Sequence, residues 1–319
     1  MKCTNCPRQC PVDRTVAHGF CQANPQPEAA TVCVHRGEEP PLCGQRGICN
    51  IFFTHCNLQC IYCQNHQISN PQNIPNNQNI QNNQITQNNL LPSLKGIEAI
   101  ADRVAEVLPH TENVVGLVSP SHYADSIPAL VEALHRRNLY PTIVYNTGGY
   151  DSVETLRALA PYIDVYLPDF KYMNPALALR YSHAEDYPEV ALAALKEMYN
   201  QKGSALPTDD NGIAWRGIIV RHLVLPGQVE NSLAVLDAIA DISTNLHVAL
   251  MAQYFPPFDG LPDQLNRTLT ADEYQQVTDH FHAVGLHHGW LQELDAQACY
   301  RPDFTRQQPF EKHSPLSNL

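Results

Sequence analysis

The sequence predicts an α/β fold, a partial (β/α)6 barrel preceded by a small Cys-rich segment. Three observations carry that expectation. Short apolar runs alternate with helical patterns six times between residues 48 and 295. Runs such as Val114–Val118 are apolar without alternation, as strands buried on both faces of a parallel sheet are. Each run then ends in polar or charged residues, and parallel α/β barrels build their sites at the carboxyl ends of the strands.

Residues 1–47 form the first segment. Cys3, Cys6, Cys10 and Cys21 fall in a Pro-punctuated stretch too short for a core of its own, the pattern of a metal-stapled microdomain. Zinc and an iron–sulfur cluster both take four thiolates, so these residues leave the metal open. Unligated thiols are the plain alternative. Cys33, Cys43 and Cys49 read as core, and Cys299 as structural. Gly37-Glu38-Glu39-Pro40-Pro41 reads as a turn-rich linker into the first barrel strand, about 48–53.

That strand runs into Cys56-Asn57-Leu58-Gln59-Cys60-Ile61-Tyr62-Cys63, three thiols within eight residues. Thiolates converging from one curved segment are standard ligands of iron–sulfur clusters. A four-iron cluster takes four ligands, so three Cys leave one iron open to a non-protein ligand. Zinc sites pair C-x2-C with a second pair further on, and no such pair follows here. Buried free thiols are the remaining reading.

Asn70 to Asn89 is mostly Asn and Gln, a polar tract expected to be a disordered insertion at about 70–90. Helices are expected at about 96–108, 124–137, 152–159, 188–201, 232–242 and 271–284, by apolar periodicity. Strands are expected at 114–118, 142–145, 163–167, 217–220 and 248–251, with a short one at 290–294. The barrel thus spans 48–295, and 296–319 is a tail.

The strand ends offer Ser119-Pro120-Ser121-His122, Asn146-Thr147, Asp169 with Lys171, Arg221-His222 and Gln253-Tyr254. With the cluster loop that ends the first strand, six polar ends at one mouth suit a ligand with amine, carboxylate and hydroxyl groups. Ser119 could accept from an ammonium, Asn146, Thr147 or Asp169 could meet hydroxyls, and Lys171 or Arg221 could hold a carboxylate. Each also has a structural reading, the Asp169–Lys171 ion pair foremost. His122, His222 and Tyr254 read as satisfied structural residues.

Composition narrows the class. The 319 residues are 44% hydrophobic, enough for a sizeable core, and the formal net charge is −12 with no basic run. That argues against binding nucleic acid or an anionic membrane through charge. Met1 to Cys6 shows no apolar signal core, and no stretch reaches membrane-spanning length. A cytoplasmic location is therefore expected, where eleven Cys point to metal rather than disulfides.

The C-x3-C-x2-C spacing, with Tyr62 before the last Cys, resembles the signature of the radical SAM superfamily. Further segments are similar to its branch related to pyruvate formate-lyase activating enzyme with a Cys-rich amino terminus. They are Cys6 to Cys10, Gly37 to Pro41, Cys56 to Asn65, Tyr145 to Tyr150, Pro168 to Tyr172 and Arg221 to Gly227. The resemblance implies a barrel of the radical SAM type and a [4Fe-4S] cluster on Cys56, Cys60 and Cys63. It also implies S-adenosyl-L-methionine on the open iron, cleaved reductively to a 5′-deoxyadenosyl radical that abstracts hydrogen. Asp169 and Lys171 match the family's D-x-K element near that cofactor. Ser119-Pro120-Ser121 replaces its glycine-rich methionine-binding loop, and His55 stands where Gly is common. The implied partners are a reducing electron donor such as flavodoxin or ferredoxin and, for an activase, a protein substrate. A small-molecule substrate, a non-catalytic electron carrier and a zinc-binding module are the competing readings, and no catalytic side chain beyond the cluster ligands is expected.

Overall fold

The computed structural model describes residues 3–69, 92–298 and 301–310. The Asn/Gln insertion and Cys299 lie outside them. The described elements are β1 (Glu28–His35), α1 (Pro40–Cys43), β2 (Ile48–Phe53), α2 (His66–Ser69), β3 (Leu94–Lys95) and α3 (Ile97–Val107). Next come β4 (Val114–Val118), α4 (Ile127–Arg136), β5 (Thr142–Thr147), α5 (Val153–Leu159), β6 (Val165–Pro168) and α6 (Pro175–Ser182). The chain continues through α7 (Tyr187–Lys202), β7 (Gly217–Leu223), α8 (Val229–Ile242), β8 (His247–Met251), α9 (Ala271–Ala283) and β9 (Gly289–Leu291).

The strands form one sheet in the order β3-β1-β2-β4-β5-β6-β7-β8-β9. From β2 to β9 every neighbouring pair is parallel, and β1 joins β2 and β3 antiparallel. The expected α/β partial barrel is therefore present, and its sheet is open. Several features go beyond the sequence expectation, the short elements α1, α2 and β3 among them. The strand β1, inside the segment 1–47, extends the sheet; α6 precedes α7; and Phe304 and Phe310 from the tail pack with Phe52 and His35 over β1 and β2.

Alternation along the strands divides the core into two layers. In β5, Ile143 and Tyr145 face the helix layer, while Val144 faces the lumen with Ile48, Val114, Val165, Leu167, Ile219 and Ala249. The lumen is filled by Leu42 and Cys43 of α1 and by Ile213 and Ala214, where the Ala214 amide donates to the Pro41 carbonyl at 2.7 Å. The Gly37–Pro41 stretch is therefore no surface linker. It enters the barrel, and α1 plugs it. Gly116 shows how tight the fit is: a Cβ there would lie 2.0 Å from Asn50 Oδ1.

Candidate active site

The cluster loop follows β2 directly. His55 (φ 67°) and Gln59 (φ 58°) adopt left-handed backbone, which curls the loop so that its thiols gather at the barrel mouth. Each sulfur receives a donor. The Leu58 amide donates to Cys56 Sγ at 3.4 Å, the Ser182 hydroxyl to Cys60 Sγ at 2.9 Å, and the Ser69 hydroxyl to Cys63 Sγ at 3.3 Å. Behind Ser182 runs a buried hydroxyl chain, Ser182 to Tyr172 at 2.8 Å and Tyr172 to Tyr62 at 2.6 Å. The Ile61 amide ties the loop to the Tyr181 carbonyl of α6.

These features fit an iron–sulfur cluster. Donors to sulfur tune such clusters, and neighbouring hydroxyls and amides orient the ligands. Among the described residues no three His, Cys, Asp or Glu side chains stand close enough to share one ion. A four-iron cluster binds its thiolates at separate corners, so its ligands stand further apart than those of a single ion. Burial, followed by the Cys60 charge, pushes the Cys63 thiol up to about 12, so a bound metal must displace its proton.

Next to the loop lies a buried charge network, and it gathers four of the six residues expected to hold a polar ligand, while the Thr147 hydroxyl donates to Asp151 instead. Lys171 Nζ meets Asp169 Oδ2 at 2.6 Å, and Arg221 meets Asp169 Oδ1 at 2.8 Å. Arg221 also donates to Asn146 Oδ1 at 2.6 Å and to Glu38 Oε2 at 3.3 Å. Burial alone would raise Asp169, but Arg221 and Lys171 overcome it and hold the carboxyl below the usual range. The same acids hold Arg221 and Lys171 charged against their own burial. Ser119 is joined to this group through its backbone, its amide donating to the Asn146 carbonyl at 2.8 Å.

Below Arg221, on top of the plug, sit Glu38 and Glu39, which the linker reading missed. Glu38 accepts from Asn50 Nδ2 at 2.8 Å and from Asn146 Nδ2 at 3.3 Å. Glu39 is buried, and its Oε2 has no partner among the described residues. Burial is the main force lifting this carboxyl to about 7, with Arg221 pulling it down and Glu38 pushing it up. A surface cleft of about 520 Å³ lined by Arg46, Glu112, Asp209 and Trp215 opens at the opposite end of the barrel and contains none of the expected site residues.

The four amino-terminal Cys are near enough to act on one another through their charges, yet as placed no three of them could share a single ion. The Cys3 amide donates to the Cys10 carbonyl at 3.1 Å, the Phe20 amide to Cys10 Sγ at 3.4 Å, and Arg14 Nη2 to Cys21 Sγ at 3.7 Å. The segment docks on the barrel mouth. Asn5 Nδ2 and Arg14 Nη1 both donate to the His122 carbonyl, and Gln59 Nε2 donates to the Phe20 carbonyl. Cys33, Cys43 and Cys49 are buried in the core, as expected.

Of the strand-end His and Tyr, His222 and Tyr254 are satisfied structural residues, whereas buried His122 meets the Thr54 carbonyl at 2.8 Å through Nε2 but leaves Nδ1 without a partner among the described residues. His222 sits between the Phe170 carbonyl at 2.7 Å and the Ser232 hydroxyl at 2.9 Å, and the Tyr254 hydroxyl donates to the Leu265 carbonyl. Burial lowers His222 to about 4 and His122 to about 3. Unfolded imidazoles titrate near 6.5, so the unfolded chain takes up more protons as pH falls through that value. The stability from these neutral rings is present above about pH 6.5 and is lost on the way down toward 4. Denaturant titrations at pH 7.5 and 5 are expected to differ by roughly 2 kcal/mol for each imidazole. His222→Asn should remove its share of the difference.

No protein-family model matches the chain. The uncharacterized protein MJ0674 of Methanocaldococcus jannaschii is 27% identical over 289 residues, covering 87% of this chain and 73% of that protein. Among solved structures, methylornithine synthase (PylB) aligns at 16% identity with a TM-score of 0.43, over 82% of this chain and 69% of that one. Neither likeness assigns an activity. No helix among the described residues is long and apolar enough to cross a membrane.

Proposed function

We propose that the chain is a radical SAM enzyme, with Cys56, Cys60 and Cys63 holding a [4Fe-4S] cluster and S-adenosyl-L-methionine lodged between it and the Lys171–Asp169–Arg221 network. One observation carries this reading: three thiols, each with its own donor, stand beside a buried network of matched charges. Bound there, the pair would supply reductive cleavage of the sulfonium to methionine and a 5′-deoxyadenosyl radical. The chain does the rest. Lys171 and Arg221 present cationic donors to a carboxylate, Asn146 and Asp169 present acceptors to hydroxyls, and the plugged lumen excludes water from below.

The finer reading follows the resemblance: hydrogen abstraction from a backbone glycine of a partner enzyme, with electrons from a flavodoxin or ferredoxin. A small-molecule substrate is the second reading, and the unpartnered Glu39 carboxyl beneath the network favours it, because only a small group can reach that depth. Cys3, Cys6, Cys10 and Cys21 are proposed to hold a second metal, zinc or iron–sulfur. The test is anaerobic reconstitution with iron and sulfide, then reduction with S-adenosyl-L-methionine, assaying 5′-deoxyadenosine and methionine. Both products support the proposal. A brown protein that never cleaves the cofactor supports an electron carrier, and a colourless, zinc-loaded protein sinks the cluster assignment.

A further inference from the structure

Arg8 lies between Cys6 and Cys10, and its guanidinium leaves its own segment. Nε donates to the Asn57 carbonyl at 3.0 Å, Nη1 to the His183 carbonyl at 2.5 Å and Nη2 to the Ser182 carbonyl at 3.3 Å. The guanidinium also stacks on Phe20, 3.9 Å from the ring centre, and lies 5.2 Å from the Tyr150 ring centre. All three carbonyls border the cluster loop. Asn57 follows Cys56, and Ser182 is the residue whose hydroxyl donates to Cys60 Sγ. His183, in left-handed backbone, ends α6 and fixes where Ser182 points. One side chain of the amino-terminal segment thus holds both walls of the loop.

We propose that Arg8 is a positioning residue that makes the geometry of the cluster loop depend on the folded state of the Cys3–Cys21 segment. A planar fork suits this task and lysine's compact ammonium does not, because the fork aims separate N–H groups at three carbonyls while its face stacks on a ring. Phe20 supplies that ring, and its own carbonyl is held by Gln59 from the loop. The linkage therefore runs in both directions. The tether also explains why a segment with little core of its own lies against the mouth and not free of the barrel.

The inference shares the cluster loop with the proposed function but does not require that function to hold, because its first test needs no iron. Hydrogen–deuterium exchange on the full chain would follow the peptides covering 56–63 and 181–183 in wild type, Arg8→Lys, Arg8→Met and the double variant Cys6→Ser/Cys10→Ser. Charge-assisted bonds of this kind protect by about tenfold or more in exchange rate. Arg8→Met is expected to raise exchange in both peptides by that factor and leave β4 to β6 unchanged, with Arg8→Lys between it and wild type. The Cys double variant should raise loop exchange at least as much, since it loosens both the Arg8 and the Phe20–Gln59 contacts, and adding Arg8→Met to it should change little more. Unchanged loop exchange in Arg8→Met, a rise shared equally by the sheet, or fully additive effects would each overturn the proposal. In the reconstituted chain, a shifted resonance spectrum of the reduced cluster in Arg8→Met at unchanged iron content is the matching signature, and an identical spectrum counts against it. Failure to bind iron at all would sink the cluster reading and leave the exchange result standing.

Discussion

A Cys60→Ala chain is expected to lose its cluster iron and produce no detectable 5′-deoxyadenosine while keeping its fold. Cys60 is where the site converges. It takes the Ser182 hydroxyl at 2.9 Å, and the Lys171 charge acts on it against the burial that raises its thiol. Residues that merely orient a ligand typically cost 10–100-fold in metal affinity, so removing the ligand should cost at least about 100-fold. Ser182→Ala provides the graded comparison. Its chain should still bind iron, with affinity lower by roughly 10–100-fold, because it removes the donor and keeps the thiolate. Iron and sulfide content, the visible absorption of the reconstituted protein and deoxyadenosine production check all three chains. Full iron loading in Cys60→Ala would show that the cluster does not use this loop as described.

The largest loss of stability is expected from Arg221→Met. Arg221 holds Asp169, Asn146 and Glu38 together, with only 16% of its side chain exposed. Removing one partner of a buried ion pair leaves uncompensated charge, which costs about 3–5 kcal/mol. Asp169 keeps Lys171, so the groups left without their cation are Glu38 and Glu39, whose Oε2 already has no partner among the described residues. A thermal or urea transition should fall by that amount, and the loss should shrink when Glu38→Gln is added, because one stranded charge is gone. Additive losses in the double variant would mean that Arg221 does not hold Glu38 in place.

The parts of this protein written locally in the chain were legible from sequence. Apolar runs became strands within a few residues, and periodic stretches became helices, because period and burial are set by neighbours in sequence. The loop thiols and the Asp169–Lys171 and Arg221 strand ends were visible for the same reason: strand order delivers them to one mouth. Contacts made at long range were not. Gly-Glu-Glu-Pro-Pro has the composition of a turn, and only the folded lumen shows that it carries Glu38 and Glu39 inward. Ser182 lies 122 residues from the thiol it serves, and nothing in its local sequence marks it. The strand β1 follows a Cys-rich stretch with no core of its own and pairs antiparallel with β2 and β3, partners that only the folded sheet supplies.

Among the described residues, the plug formed by α1 and Ile213–Ala214 fills the lower end of the lumen. A molecule held at Lys171 and Arg221 covers whatever lies beneath it. Two ligands approaching from the mouth are expected to bind in sequence, the deeper one first, and to depart in reverse. The seal thus turns an architectural detail into a rule of kinetic order, one that product-inhibition patterns would reveal without any knowledge of the chemistry inside.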